Sequence, residues 1–139
     1  MPFKYFGKIN FTPYTKVDKF SEYLHKGKLM GSRCKKCGET YFPPRADCLK
    51  CMDDKFEWIE YSGKGTLHSF TTINAAPKGF EDIAPYTLGI VDLIEGGRLI
   101  SWIGEIPKNE IKIGMNVKVV PRIFDDIPEI KLYYTIEKP

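Results

Sequence analysis

The amino-acid sequence predicts a mainly β protein in which an N-terminal helix and a four-cysteine metal module precede a small β-barrel. Three observations support this fold class. All four cysteines lie in one stretch, CKKCGETYFPPRADCLKC, residues 34–51. Apolar residues recur at helical spacing before it, and alternating, β-branched runs separated by turn residues follow from residue 56. We therefore divide the chain into an aromatic arm and helix (1–30), a metal module (31–58) and a barrel (59–139).

The N-terminal segment combines an aromatic arm with a short helix. The arm, residues 1–14, has five aromatic residues without a clear period, and it either completes the core of its own domain or docks on another protein. A helix is predicted at 16–26, after a segment at 15–18 that resembles a capping box. Gly27 or Gly31 is expected to end it. The apolar positions of the helix are Val17, Phe20, Tyr23 and Leu24.

The cysteine spacing indicates one metal ion. Two Cys-x2-Cys pairs are separated by ten residues, so that each pair forms a turn and contributes half of a tetrahedron. A reducing compartment disfavours structural disulfides and favours metal ligation. Gly38, directly after the first pair, suits the conformation in which the chain leaves such a turn. We predict a closed, structural Zn²⁺ site of the rubredoxin-like zinc-ribbon type, with the ligands Cys34, Cys37, Cys48 and Cys51.

Iron is the alternative metal. Four cysteines also hold the iron of rubredoxin-like electron carriers, and ligand geometry alone does not separate the two metals. The chain is far longer than an electron carrier needs. Met52 also stands where symmetry with Gly38 predicts a second glycine. Both observations favour zinc.

The second half of the sequence has the pattern of a barrel. Gly63-Lys64-Gly65 and Gly96-Gly97 are turn signals, and 75–85 is a long connection. About five or six strands, one tight central hairpin and one long loop favour a partly open Greek-key barrel, the OB-fold, over a sandwich. The predicted strand runs are FEWIEYS, TLHSFTTIN, YTLGIVDLIE, RLISWIGEI, MNVKVVPRIF and EIKLYYTIE.

The distribution of charge bears on the ligand. Residues 1–64 hold 13 basic and 8 acidic side chains, whereas residues 65–139 hold 8 and 10. A barrel with a net charge of −2 is poorly suited to single-stranded nucleic acid, which OB-folds bind with basic grooves and aromatic platforms. Nucleic-acid binding therefore stays the alternative function. Arg45 and Lys64 lie in loops expected to face the cleft between module and barrel, where they could meet the phosphates of a nucleotide-containing cofactor.

The sequence lacks the parts of a catalyst. All four thiols are assigned to the metal, a four-cysteine site has no open coordination position, and His25 and His68 have no motif partner. No run of residues is long and apolar enough to span a bilayer, and the first residues lack the features of a signal peptide. We expect a cytoplasmic protein that binds and positions other molecules and is not an enzyme.

These residues resemble a known family. The order of segments resembles the zinc-ribbon plus OB-fold family called domain of unknown function thirty-five. That order is a helix, C-x2-C-G, the segment YFPPR, a second C-x2-C and a barrel containing GMNVKVV. The resemblance covers nearly the whole chain except the arm. The family's metal ligands carry over to the four cysteines, and its Pro-Pro-Arg to Pro43, Pro44 and Arg45.

The resemblance implies a function in acyl-CoA chemistry. Members of the family are non-catalytic partners of thiolase-like enzymes. In archaea the resemblance implies a mevalonate-pathway subunit that bridges acetoacetyl-CoA thiolase and HMG-CoA synthase and helps to hold coenzyme A. We therefore expect a scaffold that binds coenzyme A or acyl-CoA, with Arg45 and Lys64 near its phosphates.

Overall fold

The computed structural model describes residues 15–123 and 132–139, and within them the fold class is confirmed as mainly β. The prediction for the aromatic arm, residues 1–14, lies outside the described residues. One α-helix, α1 (Lys19–His25), precedes the strands, and a 3₁₀ turn spans Lys108–Glu110. The strands are β1 (Leu29–Cys34), β2 (Thr40–Tyr41), β3 (Phe56–Tyr61), β4 (Lys64–Ile73), β5 (Tyr86–Leu93), β6 (Arg98–Trp102), β7 (Asn116–Ile123) and β8 (Leu132–Glu137).

Helix α1 is shorter than the 16–26 predicted from its apolar spacing. Its first residue is Lys19, after a turn at residues 16–18. The expected capping box does not form: Asp18 makes no side-chain capping hydrogen bond, and Thr15 Oγ1 accepts from the N–H of Val17 (3.4 Å). Gly27 ends the helix with φ +79°, a conformation that favours glycine. Within the described ranges no helix is long and apolar enough to cross a membrane.

The metal module is built on a three-stranded antiparallel sheet in the order β2-β1-β3. β3 pairs with β1 along its whole length, from Leu29 opposite Tyr61 to Cys34 opposite Phe56. The division expected at 58/59 therefore falls inside β3, and this sheet ends at Tyr61. The turn expected at Gly63-Lys64-Gly65 is shorter than predicted, since β4 already begins at Lys64.

The C-terminal half is the expected OB-type barrel. Five antiparallel strands follow the order β6-β5-β4-β7-β8. A parallel bridge between Ile103 and Ile136, with the N–H of Gly104 donating to the carbonyl of Ile136 (2.9 Å), brings the two outermost strands together and nearly closes the barrel. The predicted hairpin at Gly96-Gly97 joins β5 to β6, and both glycines have positive φ.

An aromatic cluster joins helix, ribbon and barrel. Its buried members, here called the junction cluster, come from α1, the residue after β2, the end of β3, and β8. The ring of Phe42 lies at the centre, with ring-centroid distances of 5.8, 5.2 and 5.6 Å to the other three. One continuous core therefore spans both sheets. The four members are Phe20, Phe42, Tyr61 and Tyr134.

Hydrogen bonds fasten the ribbon to the barrel beside this cluster. The hydroxyl of Tyr61 donates to the carbonyl of Gly96 (2.7 Å), and Thr40 Oγ1 donates to the carbonyl of Glu95 (3.0 Å). A Cβ at Gly96 would lie 2.5 Å from Thr40 Oγ1, so the hairpin approaches β2 more closely than a larger residue allows. The β5–β6 hairpin is therefore the contact point between the two sheets.

We predict that Phe42→Ala lowers the free energy of unfolding by about 3–5 kcal/mol, because it removes the centre of the junction cluster and leaves a cavity. Urea denaturation followed by tryptophan fluorescence measures this change. Leu49→Ala, at an exposed position, is the control and is expected to change stability by less than about 0.5 kcal/mol. Equal losses in the two variants would contradict this account of the core.

Candidate metal centre and ligand-binding surfaces

The two Cys-x2-Cys segments form two matching turns, here called the knuckles. In the first, the N–H of Gly38 donates to the carbonyl of Cys34 (2.9 Å); in the second, the N–H of Met52 donates to the carbonyl of Cys48 (3.1 Å). Gly38 has φ +78° and Met52 φ +63°. Met52 therefore takes the left-handed conformation of the missing glycine, which costs a non-glycine residue about 1–2 kcal/mol.

The four sulfur atoms converge as a tetrahedral site requires. All four Sγ atoms lie within 4.8 Å of one another. The pairs Cys34–Cys51 and Cys37–Cys48 are each 3.5 Å apart, far longer than the disulfide bond of about 2.05 Å. A zinc ion with Zn–S bonds of about 2.3 Å implies sulfur–sulfur edges of about 3.8 Å. The donor set and its spacing therefore fit one tetrahedral Zn²⁺, in agreement with the prediction from spacing.

The hydroxyl of Tyr41 supports the second knuckle. It lies 3.4 Å from Cys48 Sγ and accepts a hydrogen bond from the N–H of Leu49 (3.1 Å). The Tyr41 hydroxyl and nearby backbone N–H groups lower the pKa of Cys48 to about 6, although burial opposes them. The N–H of Asp53 lowers the pKa of Cys51, but burial and the neighbouring thiols outweigh it and raise that pKa to about 12. A divalent cation is therefore needed before all four sulfurs become thiolates near neutral pH.

Arg45 lies on the ribbon beside the second knuckle. Its backbone N–H donates to Ser32 Oγ (2.9 Å), and its guanidinium carbon lies 5.8 Å from the centroid of the Tyr41 ring. The Pro-Pro-Arg segment that carries it begins with a cis peptide bond between Phe42 and Pro43. Arg45 lines a cavity of about 160 Å³ together with Trp58 and other ribbon residues.

Lys64 lies elsewhere, at the start of β4. It faces Lys118 of β7 directly across the sheet, and both line a cavity of about 390 Å³. Thr66, Asn116 and Ile94 also line this cavity. The two cavities share no lining residue, so the structure does not bring Arg45 and Lys64 together. Sequence analysis missed Lys118, because only the register of β4 against β7 places it opposite Lys64.

Several aromatic residues of the second half of the chain could in principle stack bases, but most of them contact one another. Ring-centroid distances are 6.2 Å for Tyr86–Trp102, 5.2 Å for Trp102–Tyr133 and 4.8 Å for Tyr133–Tyr134. Tyr134 is in the core, and Phe70 is exposed. These contacts make most of the set part of the protein's own packing.

Sequence analysis found no partner for His68, and the structure supplies one. His68 lies at a bulge in β4, where the pairing with β5 shifts register, and its Nδ1 is 3.3 Å from Asp92 Oδ2. Arg98 Nε donates to the other carboxylate oxygen (2.5 Å) and, as the larger contribution, lowers the pKa of Asp92. The group is largely open to solvent, and within the described residues no nucleophile is bonded to it. Among the described residues it is a surface group in which Arg98 and His68 both contact Asp92.

Comparisons with known proteins match both halves of the chain. Residues 22–57 match the family model described as the rubredoxin-like zinc ribbon domain of ChsH2, and residues 58–122 match the C-terminal OB-fold domain of ChsH2. A "DUF35 domain-containing scaffold protein" of Methanocaldococcus jannaschii is 43% identical over 95 residues, which cover 68% of this chain and 67% of that protein.

Two further relatives extend the comparison. The "Benzoylsuccinyl-CoA thiolase subunit BbsA" of Thauera aromatica is 35% identical over 79 residues, covering 57% of this chain and 54% of that one. The solved structure of an "Ltp2-ChsH2(DUF35) aldolase" superposes with a TM-score of 0.72 at 24% identity, covering 92% and 98% of the two chains, and so shows the shared fold. With a zinc ribbon and an OB-fold in the same order, this chain belongs to the DUF35 family of scaffold proteins.

Proposed function

We propose that this chain is a non-catalytic scaffold subunit that docks on a thiolase-family enzyme and helps to hold an acyl-CoA. The observation that carries the proposal is the closed four-sulfur site. It engages all four cysteines of the chain, so no thiol remains for acyl transfer and no coordination position remains for water. Turnover then belongs to the partner enzyme, and this chain contributes surface and binding groups.

The relatives support a thiolase-family partner. One relative at 43% identity is named a scaffold protein, and another is named a subunit of benzoylsuccinyl-CoA thiolase. As the specific assembly, we propose a cytoplasmic bridge between acetoacetyl-CoA thiolase and HMG-CoA synthase. A small chain whose two sheets are joined by one continuous core suits this role, because both sheets offer surface for contact.

The lysine-lined cavity is the better candidate for the phosphates of coenzyme A. Lys64 and Lys118 are like charges directly opposite each other on adjacent strands, an arrangement that is unfavourable unless an anion lies between or above them. Neither forms an ion pair among the described residues. The Thr66 hydroxyl and the Asn116 amide lie on the same cavity wall and offer further donors. Arg45 lines the separate cavity, where it could contact another part of a bound coenzyme A.

Zinc in this proposal is structural. Cys34, Cys37, Cys48 and Cys51 would hold it, and it would supply the positive charge that stabilises four thiolates and fixes both knuckles. The Tyr41 hydroxyl orients one of these ligands through its contact with Cys48 Sγ. The metal therefore determines the shape of the ribbon without entering the reaction.

The scaffold proposal predicts stable association with a thiolase-family enzyme. Untagged protein isolated from its own organism at about 100 mM salt is expected to elute from a sizing column with that enzyme, as identified by mass spectrometry. Isolation as a free monomer under these conditions would reject the proposal. A fluorescent single-stranded oligonucleotide is the comparison probe: tight, steeply salt-dependent binding without any enzyme attached would favour the nucleic-acid alternative.

The phosphate-site proposal predicts that Lys64→Gln and Lys118→Gln each weaken the binding of coenzyme A by about tenfold, because each removes one charge-assisted contact. Isothermal titration calorimetry with the purified complex measures the affinity. Lys108→Gln, in the 3₁₀ turn away from the cavity-lining residues, is the matched control and should have little effect. Wild-type affinity in both cavity variants would place the phosphates elsewhere.

The structural-zinc proposal predicts that Tyr41→Phe releases zinc to a chelator about tenfold faster, since loss of a hydrogen bond to a metal ligand commonly costs that much. Transfer of zinc to the dye 4-(2-pyridylazo)resorcinol reports the rate. Tyr23→Phe is the control, because the Tyr23 ring packs on Trp58 away from the sulfurs. Identical release from both variants would show that the Tyr41 hydroxyl does not support the site.

A further inference from the structure

The second knuckle exposes two large apolar side chains, and exposed lysines lie near them in the two knuckle sequences. Leu49 is 67% exposed and Met52 82% exposed, and only two residues separate them in the second knuckle. Exposed single apolar residues are ordinary, but this pair lies in a turn that also carries two of the four converging cysteines. We define the knuckle tip as Leu49 and Met52 together with Lys35, Lys36 and Lys50.

The conformation of Met52 has no explanation within the turn. The first knuckle uses Gly38 at the corresponding position, with nearly the same φ and the same backbone hydrogen bond. Glycine would satisfy the second knuckle equally well and without strain. A residue held in a disfavoured conformation with its side chain in solvent indicates a function for that side chain. Methionine is also enriched at protein interfaces and adapts to irregular apolar surfaces.

Three lysines border this apolar pair. Lys35, Lys36 and Lys50 are exposed, and residues 34–38 and 48–52 contain no acidic side chain. Lys50 lies 3.7 Å from Glu39 in a solvent-exposed pair, which contributes little. The nearest following acids are already engaged: Asp53 Oδ1 accepts the N–H of Lys55, and Asp54 pairs with Lys16. The tip therefore offers an apolar centre with a basic rim of three lysines, of which Lys50 forms an exposed pair with Glu39.

We propose that the knuckle tip inserts into an apolar socket with an acidic rim on the thiolase-family partner. This inference rests on the proposed scaffold function and names the surface that carries it out. Apolar anchors at the centre with charges at the edge are the arrangement of protein interfaces. The basic rim attracts an acidic one, and the rigid knuckle loses little conformational freedom on docking. A single-stranded nucleic acid fits less well, because the barrel beyond the ribbon carries a net charge of −2.

The experiment measures the dissociation constant of the zinc-loaded full chain for the thiolase-family enzyme of its own organism. Leu49→Gln and Met52→Gly are each expected to weaken binding at least tenfold. Met52→Gly is the sharper variant, because it relieves the backbone and should leave the urea midpoint unchanged or raised while binding falls. Ile113→Gln is the matched control, since Ile113 is 69% exposed but lies on the barrel, and it should change affinity less than twofold.

The basic rim is tested with salt. Raising KCl from about 50 to about 300 mM should weaken the wild-type complex more than the complex of the Lys35→Gln/Lys36→Gln double variant. Wild-type affinity in both tip variants would overturn the inference while leaving the scaffold function intact. A wild-type chain that fails to bind the enzyme at all would reject the scaffold function instead.

Two remaining results also decide the question. If Met52→Gly lowers the urea midpoint, Leu49→Gln decides by the same tenfold criterion, because it does not alter the strained residue. If the lysine double variant loses binding to a fluorescent oligo-thymidylate while its affinity for the enzyme is unchanged, the tip is a nucleic-acid contact and the inference is wrong.

Discussion

Convergence of four sulfur atoms within 4.8 Å is the constraint on which the rest of the ribbon depends. Four thiolates at that spacing would repel one another, and their surroundings differ: the Tyr41 hydroxyl lowers the pKa of Cys48, whereas the N–H of Asp53 is outweighed by burial and the neighbouring thiols, which raise the pKa of Cys51. A bound divalent cation would offset the repulsion between the thiolates and hold the four sulfur atoms at the corners of a tetrahedron. The two knuckles then have fixed backbones, and every side chain they carry has a fixed position.

This rigidity extends from the sulfurs to the barrel through two adjacent residues. Tyr41 contacts Cys48 with its hydroxyl, and the next residue, Phe42, is the centre of the junction cluster. The last residue of β2 thus contacts the metal site, and the residue that follows β2 lies in the shared core. Because Tyr134 of β8 contacts the same Phe42 ring, the barrel and the ribbon are held as one body. A scaffold that positions a partner relative to a ligand requires this kind of stiffness.

Local patterns were sufficient for most of the fold. Cysteine spacing indicated the metal site, alternation located the strands, and Gly96-Gly97 located the central hairpin, because each of these depends on a few neighbouring residues. The turn predicted at Gly63-Lys64-Gly65 is shorter in the structure, because Lys64 and Gly65 pair with Lys118 and Val117. Pairing partners on distant strands override a local glycine signal, and the sequence alone does not reveal them. For the same reason the sequence did not predict that Lys118 lies opposite Lys64, or that Arg45 and Lys64 line separate cavities.

Met52 shows how a departure from a pattern carries information. Its sequence position indicated a missing glycine, and that absence was interpreted only as evidence about the metal. In the structure the turn forms with Met52 in this position, and the N–H of Met52 donates to the carbonyl of Cys48. A metal held by Cys48 and Cys51 would over-determine the backbone between them, so that the knuckle would tolerate a strained residue that a free turn would not. The turn itself does not require methionine at position 52. A contact of this exposed side chain with a partner protein, as proposed above, would explain why a large apolar residue stands there.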